Sequence, residues 1–270
     1  MLIDQINWTV DNYILARVKG TASVAVYSVG ASLNKYYMSF AVIIATVFIP
    51  QINKVVAEKN DNTELLGLMI KTGRVQFILL ALIASGFVVF GREFINLWVG
   101  NEYENAYYIC LILMVTATIP FLQSIGVEIK KAKNKHKFRS TAYFMIAIVN
   151  VIISIPLAKM YGGIGCAIGT GISLVVGNVF IMNWYYHIKL GLNMKKFWKE
   201  IMNFVPALIL PFTLGLFIMI FLKEEQLFPL IFCIILYTIT YAISMWLLGL
   251  NKYEKSLVAN LLKKLRKSKL

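Results

Sequence analysis

Seven stretches of this chain stay apolar for about twenty residues or more, and that length restricts the fold more than any motif does. They run over residues 24–49, 75–97, 107–127, 140–160, 164–186, 202–222 and 227–250. Crossing the hydrocarbon core of a bilayer takes about 20 residues of helix, and no water is available there to satisfy a broken backbone. Helices are therefore the only economical conformation for all seven. The connections between them are short, which predicts antiparallel neighbours packed in one bundle. An eighth segment, 3–18, has a helical pattern but is too polar to assign on hydropathy alone.

Composition agrees. Hydrophobic residues make up 59% of the chain and charged residues only 15%, with a mean hydropathy of +0.71, which excludes an ordinary soluble domain. The remaining charge is lopsided, 27 Lys and Arg against 13 Asp and Glu, for a net +14. In a membrane protein such an excess fits anionic lipid at the cytoplasmic face better than nucleic acid. Cys110, Cys166 and Cys233 all fall inside apolar runs. Their odd number and wide spacing offer neither a disulfide framework nor a zinc site.

The cations also set the orientation. Of the Lys and Arg residues, 21 lie in alternate connections and the tail, 5 lie in the opposite connections, and Lys35 is left inside a span. The positive-inside rule then puts the tail in the cytoplasm. The alternation holds along the whole chain only if segment 3–18 is counted, so eight crossings and two cytoplasmic termini are expected. The expected organisation is an all-α bundle over 1–250 followed by a basic amphipathic tail over 251–270. In that tail Leu257, Leu261 and Leu265 recur among lysines, as in a helix lying on anionic headgroups. The chain opens directly into helix pattern without a cationic flank or signal peptide. It reads as the carboxyl-terminal part of something longer, or as a start at an internal Met.

Two polar stripes stand out. On segment 3–18, Asp4, Asn7, Trp8 and Asp11 gather on one side of the helical wheel, with Leu2, Ile3, Ile6, Val10, Tyr13 and Ile14 on the other. Interfacial helices carry Lys or Arg on the polar face, so an acidic face points to cavity lining instead. On the next segment Ser28, Ser32, Lys35, Ser39 and Thr46 share a narrow stripe, and Lys35 falls near the middle of the span. A lysine at that depth costs about 2.5–3.5 kcal/mol on insertion scales, so it must face a partner or water. One reading is a structural pair with Asp4 or Asp11; the other is a cation that meets an anionic substrate group. Asn150 with Ser154, and Thr116 with Gln123, share helix faces that line a cavity or simply bond between helices. Gly165, Gly169, Ser173 and Gly177 form a small-xxx-small ladder for close helix packing.

An enzyme finds little support here. His136 sits in a basic loop and His187 at a span end, and there is no phosphate-cradling Gly-Lys loop. The expectation is a non-enzymatic transporter without a cofactor. The opening INWTVDNYILARVKGTASVAVYSVGASLNKYYMSF resembles the start of the second half of bacterial polysaccharide flippases, members of the MOP superfamily that also contains MATE antiporters and lipid II flippases. Phe94 to Ala106, FINLWVGNEYENA, resembles the family's outward W-x-G-x-x-Y-x-x-A turn, and Tyr161 to Ser173, YGGIGCAIGTGIS, its approach to a later helix.

The resemblance implies 12 to 14 spans in two pseudo-symmetric halves around a central cavity, of which this chain would be the carboxyl-terminal half plus two helices. It implies movement of undecaprenyl-pyrophosphate-linked oligosaccharide across a bacterial cytoplasmic membrane by alternating access. Lys35 would then meet the pyrophosphate, in a cavity that Ser28, Ser32, Ser39, Asn7 and Trp8 also line. Asp4 and Asp11 would line the same cavity, coupling to H+ or Na+ or contacting sugar hydroxyls. Two rivals are a cation-coupled multidrug exporter of the MATE type and a noncatalytic scaffold that assembles with other membrane proteins.

Overall fold

The computed structural model describes residues 2–58, 61–133, 137–221 and 227–267, with side chains at 10–58, 61–133, 138, 140–219 and 227–260. Among the described residues the chain is helical, with no strand. Its helices are α1 (Leu2–Val18), α2 (Thr21–Glu58), α3 (Asn62–Val99), α4 (Asn105–Leu122), α5 (Ser124–Ala132), α6 (Lys137–Val175), α7 (Met194–Met202), α8 (Val205–Phe221), α9 (Leu227–Ser244) and α10 (Lys252–Lys267).

Among the described residues, six helical stretches are long and apolar enough to cross a membrane: Thr21–Glu58, Asn62–Val99, Asn105–Ala132, Ser140–Lys189, Met194–Met219 and Leu227–Gly249. The fourth runs for 50 residues and doubles back at Gly162, whose torsions (φ 59°, ψ −132°) are not helical and suit a residue without a side chain. Its two arms correspond to the separate apolar stretches 140–160 and 164–186. The second arm continues through π-helical turns at Val176–Met182 and Tyr185–Lys189. At 17 residues, α1 is shorter than these six stretches and packs in the same bundle.

The glycine ladder holds the two arms of α6 together. A Cβ built on Gly165 would lie 2.0 Å from the Leu157 carbonyl, one on Gly169 2.3 Å from Ser154 Oγ, and one on Gly177 2.1 Å from an Ile146 methyl. Each step along one arm is matched by a step backwards along the other, the signature of an antiparallel pair at backbone contact. Around this hairpin α1 packs on α6 and α2, and α4 lies against α2, α3 and α6. The buried face of α2 carries Tyr27, Gly30, Asn34, Tyr37, Ala41 and Ala45, recurring every three or four residues.

The last two spans form a hairpin on the outer side of α3. Tyr237 packs edge-on against Phe90 and donates a hydrogen bond to Ser85 Oγ at 2.7 Å, and Tyr241 Oη donates to the Ile78 carbonyl, also at 2.7 Å. A buried arginine ties the tail to the bundle. From α3, Arg74 reaches Glu254 of α10 through Nε at 2.5 Å and Nη2 at 3.0 Å, the Gly249 carbonyl at 3.1 Å, and the Glu200 carbonyl of α7 at 2.9 Å. The Phe204 ring lies 4.3 Å from its guanidinium carbon. The sequence leads one to expect a basic amphipathic tail over 251–270, and the first turn of α10 is a packed part of the bundle.

Candidate functional site

Two polar features face away from each other across α2. The first is closed. Asp11, fully buried, projects from α1 into the seam between α2 and the α6 hairpin. Tyr27 Oη donates to its Oδ2 at 2.5 Å and Thr170 Oγ1 donates to the same oxygen at 2.6 Å. Behind Thr170 stands Asn150, whose Oδ1 lies 3.2 Å from the threonine hydroxyl and accepts from Ser154 Oγ at 2.8 Å. The α6 hairpin thus supplies Asn150 and Ser154 from one arm and Thr170 from the other. The ladder contact of Gly169 on Ser154 brings them into register.

The second oxygen of Asp11, Oδ1, is buried and has no hydrogen-bond partner among the described residues. A buried carboxylate with two hydrogen bonds on one oxygen and none from the described residues on the other is costly as an isolated anion. Binding a proton or a small cation at that oxygen removes the cost. The oxygen-rich surroundings, Asn150 Oδ1 and the Thr170 and Ser154 hydroxyls, suit a hard monovalent cation as well as a proton.

The second feature is open. Lys35, Ser32 and Ser39 are exposed and Ser28 is half-buried, all on the side of α2 opposite the packed row from Tyr27 to Ala45. Ser39 Oγ donates to the Lys35 carbonyl at 2.9 Å, which keeps its hydroxyl on the stripe. No carboxylate among the described residues pairs with Lys35. Of the two readings of Lys35, a structural pair with Asp11 does not form, and the two do not share a cavity. Asp11 is turned inward against Tyr27 and Thr170, because two hydroxyl donors offset its burial there. Asp4, Asn7 and Trp8 lie outside the residues whose side chains are described.

Sequence reading missed Tyr27 and Thr170. Tyr27 neighbours the serine stripe, and Thr170 stands inside the YGGIGCAIGTGIS segment, whose pattern is dominated by glycines. Gln123 and Thr116 stay apart from both features: Gln123 Nε2 donates to Asn183 Oδ1 at 2.8 Å, and Thr116 Oγ1 to its own helix at Ile112. A third feature is an apolar groove of about 450 Å³ between α8 and the faces of α3 and α4, lined by Phe77, Leu80, Ala84, Val115, Leu208 and Phe212.

With six stretches among the described residues long and apolar enough to cross a membrane, a closed carboxylate site and an exposed cationic stripe, the chain is a multi-pass membrane protein. The fold matches lipid II flippase MurJ in its inward closed conformation, with a TM-score of 0.57 over 92% of this chain and 16% identity. In sequence the chain is 24% identical over 159 residues to the probable low-salt glycan biosynthesis flippase Agl15 of Haloferax volcanii. It spans 33% of the length of that relative and 53% of the MurJ chain. No family model matches the sequence. Relative and fold together bear out the resemblance to a flippase family.

Proposed function

We propose that this chain forms the carboxyl-terminal lobe of a transporter that flips a lipid-linked oligosaccharide from the cytoplasmic to the outer leaflet, in a cytoplasmic membrane with both termini inside. The observation that carries the reading is the position of Lys35: near midspan, exposed, on the face of α2 that no described helix covers. A cation at that depth on a lipid-facing surface is expensive, so the stripe faces water in a cavity that an opposing lobe closes. The anion that suits it is the pyrophosphate of an undecaprenyl-type carrier, with Ser32 and Ser39 as neutral donors beside it. The apolar groove at α8 has the chemistry to hold part of the polyprenyl tail. Asp11 is the proposed coupling site, cycling between bound and free H+ or Na+ while the lobe changes its packing against α6.

Two features argue against a drug exporter for cations. The open stripe presents a positive charge, which repels such substrates, and the acidic residue that would attract them is closed off. Flipping a bound lipid between leaflets breaks no covalent bond, so the proposed activity is not enzymatic.

The test is Lys35→Ala in the full transporter, read as outward delivery of the lipid-linked glycan alongside membrane abundance. Delivery should be lost at normal abundance. Normal delivery would remove Lys35 from the substrate path and with it the central support for this reading.

A further inference from the structure

The structure assigns a second role to the cytoplasmic end of the bundle: α7 and the start of α10 form a docking surface for anionic phospholipid headgroups, held in place by the buried Arg74–Glu254 pair. The assignment is independent of what the protein transports. It rests on where the acids of these two helices go.

In α7, MKKFWKEIM, the side facing the bundle is Met194, Phe197 and Ile201, all buried, while Lys195, Lys196 and Lys199 are exposed. Its one acidic residue, Glu200, turns towards Arg74. In α10, KYEKSLVANLLKKLRK, the one acidic residue is Glu254, which is 3% exposed and bonded to an arginine that is 4% exposed. Both carboxylates that could neutralise these helices are therefore consumed by one internal guanidinium, and the outer surface keeps only cations. Among the described residues, no carboxylate lies within ion-pair distance of Lys195, Lys196, Lys199 or Lys252. By contrast Lys54 pairs with Glu58 and Lys131 with Glu128.

The depth of the surface is set by its apolar neighbours. Trp246, Leu247 and Leu248, in the π-helical turn that follows α9, are 41%, 70% and 62% exposed. Lys255 Nζ sits 5.6 Å from the Trp246 ring centre, and Lys71 Nζ sits 5.0 Å from that of Tyr253. Exposed aliphatic residues next to a tryptophan, with lysines over the rings, is the arrangement of a surface immersed at headgroup level. Charge complementarity then selects lipids with a net negative headgroup, such as phosphatidylglycerol, over zwitterionic ones. Asn251 and Glu254 cap each other's backbone N–H groups (2.9 and 2.8 Å), so the pair with Arg74 fixes the direction in which α10 leaves the bundle.

The experiment compares phosphatidylglycerol with phosphatidylcholine association on the purified chain in zwitterionic detergent, by native mass spectrometry. The test variant is Lys195→Gln/Lys196→Gln/Lys199→Gln, and a charge-matched control is Lys54→Gln/Lys131→Gln/Lys159→Gln. A cation near an anionic surface is worth about fivefold in binding, so the test variant should lose at least roughly tenfold of the preference while the control keeps it. An equal fall in both would show only the general attraction of a basic protein and would overturn the assignment, as would an unchanged test variant. Glu254→Gln addresses the positioning role: trypsin should cut after Lys255 about tenfold faster, with a weaker lipid preference. Wild-type cleavage and lipid preference in that variant would show that the pair does not hold the surface.

Discussion

Tyr27 Oη lies 2.5 Å from Asp11 Oδ2, so the second helix donates directly to a carboxylate of the first inside the bundle. Thr170 approaches the same oxygen from the far side, 159 residues away in sequence. One carboxylate thus joins three helices, and its other oxygen has no hydrogen-bond partner among the described residues. A purely structural acid would be expected to have both oxygens bonded, as Glu254 has at Arg74.

Asp11→Asn therefore separates structure from coupling. The amide is nearly isosteric and its oxygen still accepts from Tyr27 and Thr170, so abundance and folding should stay close to normal. It cannot take up a proton or balance a cation, so the dependence of transport on the ion gradient should disappear. The measurement is glycan delivery in vesicles with the H+ or Na+ gradient imposed or collapsed. Gradient-dependent delivery by the Asn variant would exclude Asp11 as the coupling group. Tyr27→Phe should instead cost about 1–3 kcal/mol of stability, since it strips a donor from a buried acceptor, and should lower the thermal midpoint in detergent.

The glycine ladder makes a sharper stability prediction. Gly165→Ala puts a methyl group 2.0 Å from the backbone oxygen of Leu157, which no rotamer relieves, so the α6 hairpin must spread. Membrane accumulation of the variant should fall severely. Gly67→Ala, in α3, meets nothing within 4 Å and should be neutral or stabilise by up to about 1 kcal/mol, because alanine favours helix. Equal behaviour of the two variants in a thermal melt would contradict the backbone contact between the arms.

The spans were legible because hydrocarbon thickness imposes a length on them, and the ladder because small residues four apart have few other uses in a membrane. Segment ends were less legible. Both α2 and α3 run to 38 residues, since helix continues into water past the apolar run, as the Lys54–Glu58 pair on the last turns of α2 illustrates. The site was half legible. The pattern of Lys35 with its serines fixed a face of α2 without showing what lies opposite. Asp11 was recognisable as a polar residue on a helix side, but nothing local points to Thr170. Only the fold at Gly162 brings that hydroxyl back alongside Asn150 and Ser154. The inward turn of Glu254 was invisible too, because a lone acid among lysines looks like ordinary solvated charge.

Arg74 tests how a buried ion pair is maintained. Arg74→Ala leaves Glu254 buried without its partner and should cost about 3–5 kcal/mol, enough to unfold the end of the bundle where α3, α7 and α10 meet. Replacing both members with apolar residues, Arg74→Met/Glu254→Leu, removes the uncompensated charge and should recover most of the loss. The thermal midpoints of the two variants decide it. A double variant as unstable as Arg74→Ala would mean that the bonds from Arg74 to the Gly249 and Glu200 carbonyls carry the stability instead of the carboxylate pair.

Cation distribution and the glycine turns together orient the bundle in the membrane. The cation-rich connections lead into the end of the bundle where α3, α7 and α10 meet at Arg74, while the turns at Gly20, Gly100 and Gly162 are the alternate connections. Those three glycines have positive φ, as tight turns between antiparallel helices require, and few cations flank them. Lysine and arginine resist transfer across the membrane during insertion, so the Arg74 end should remain inside. A fluorescent protein fused after Leu270 should fluoresce, and alkaline phosphatase placed in the Asn101–Tyr103 turn should be active. The opposite pair of results would invert the bundle. It would put the basic surface of α7 and α10 outside, and it would reverse the direction in which Lys35 first meets a pyrophosphate.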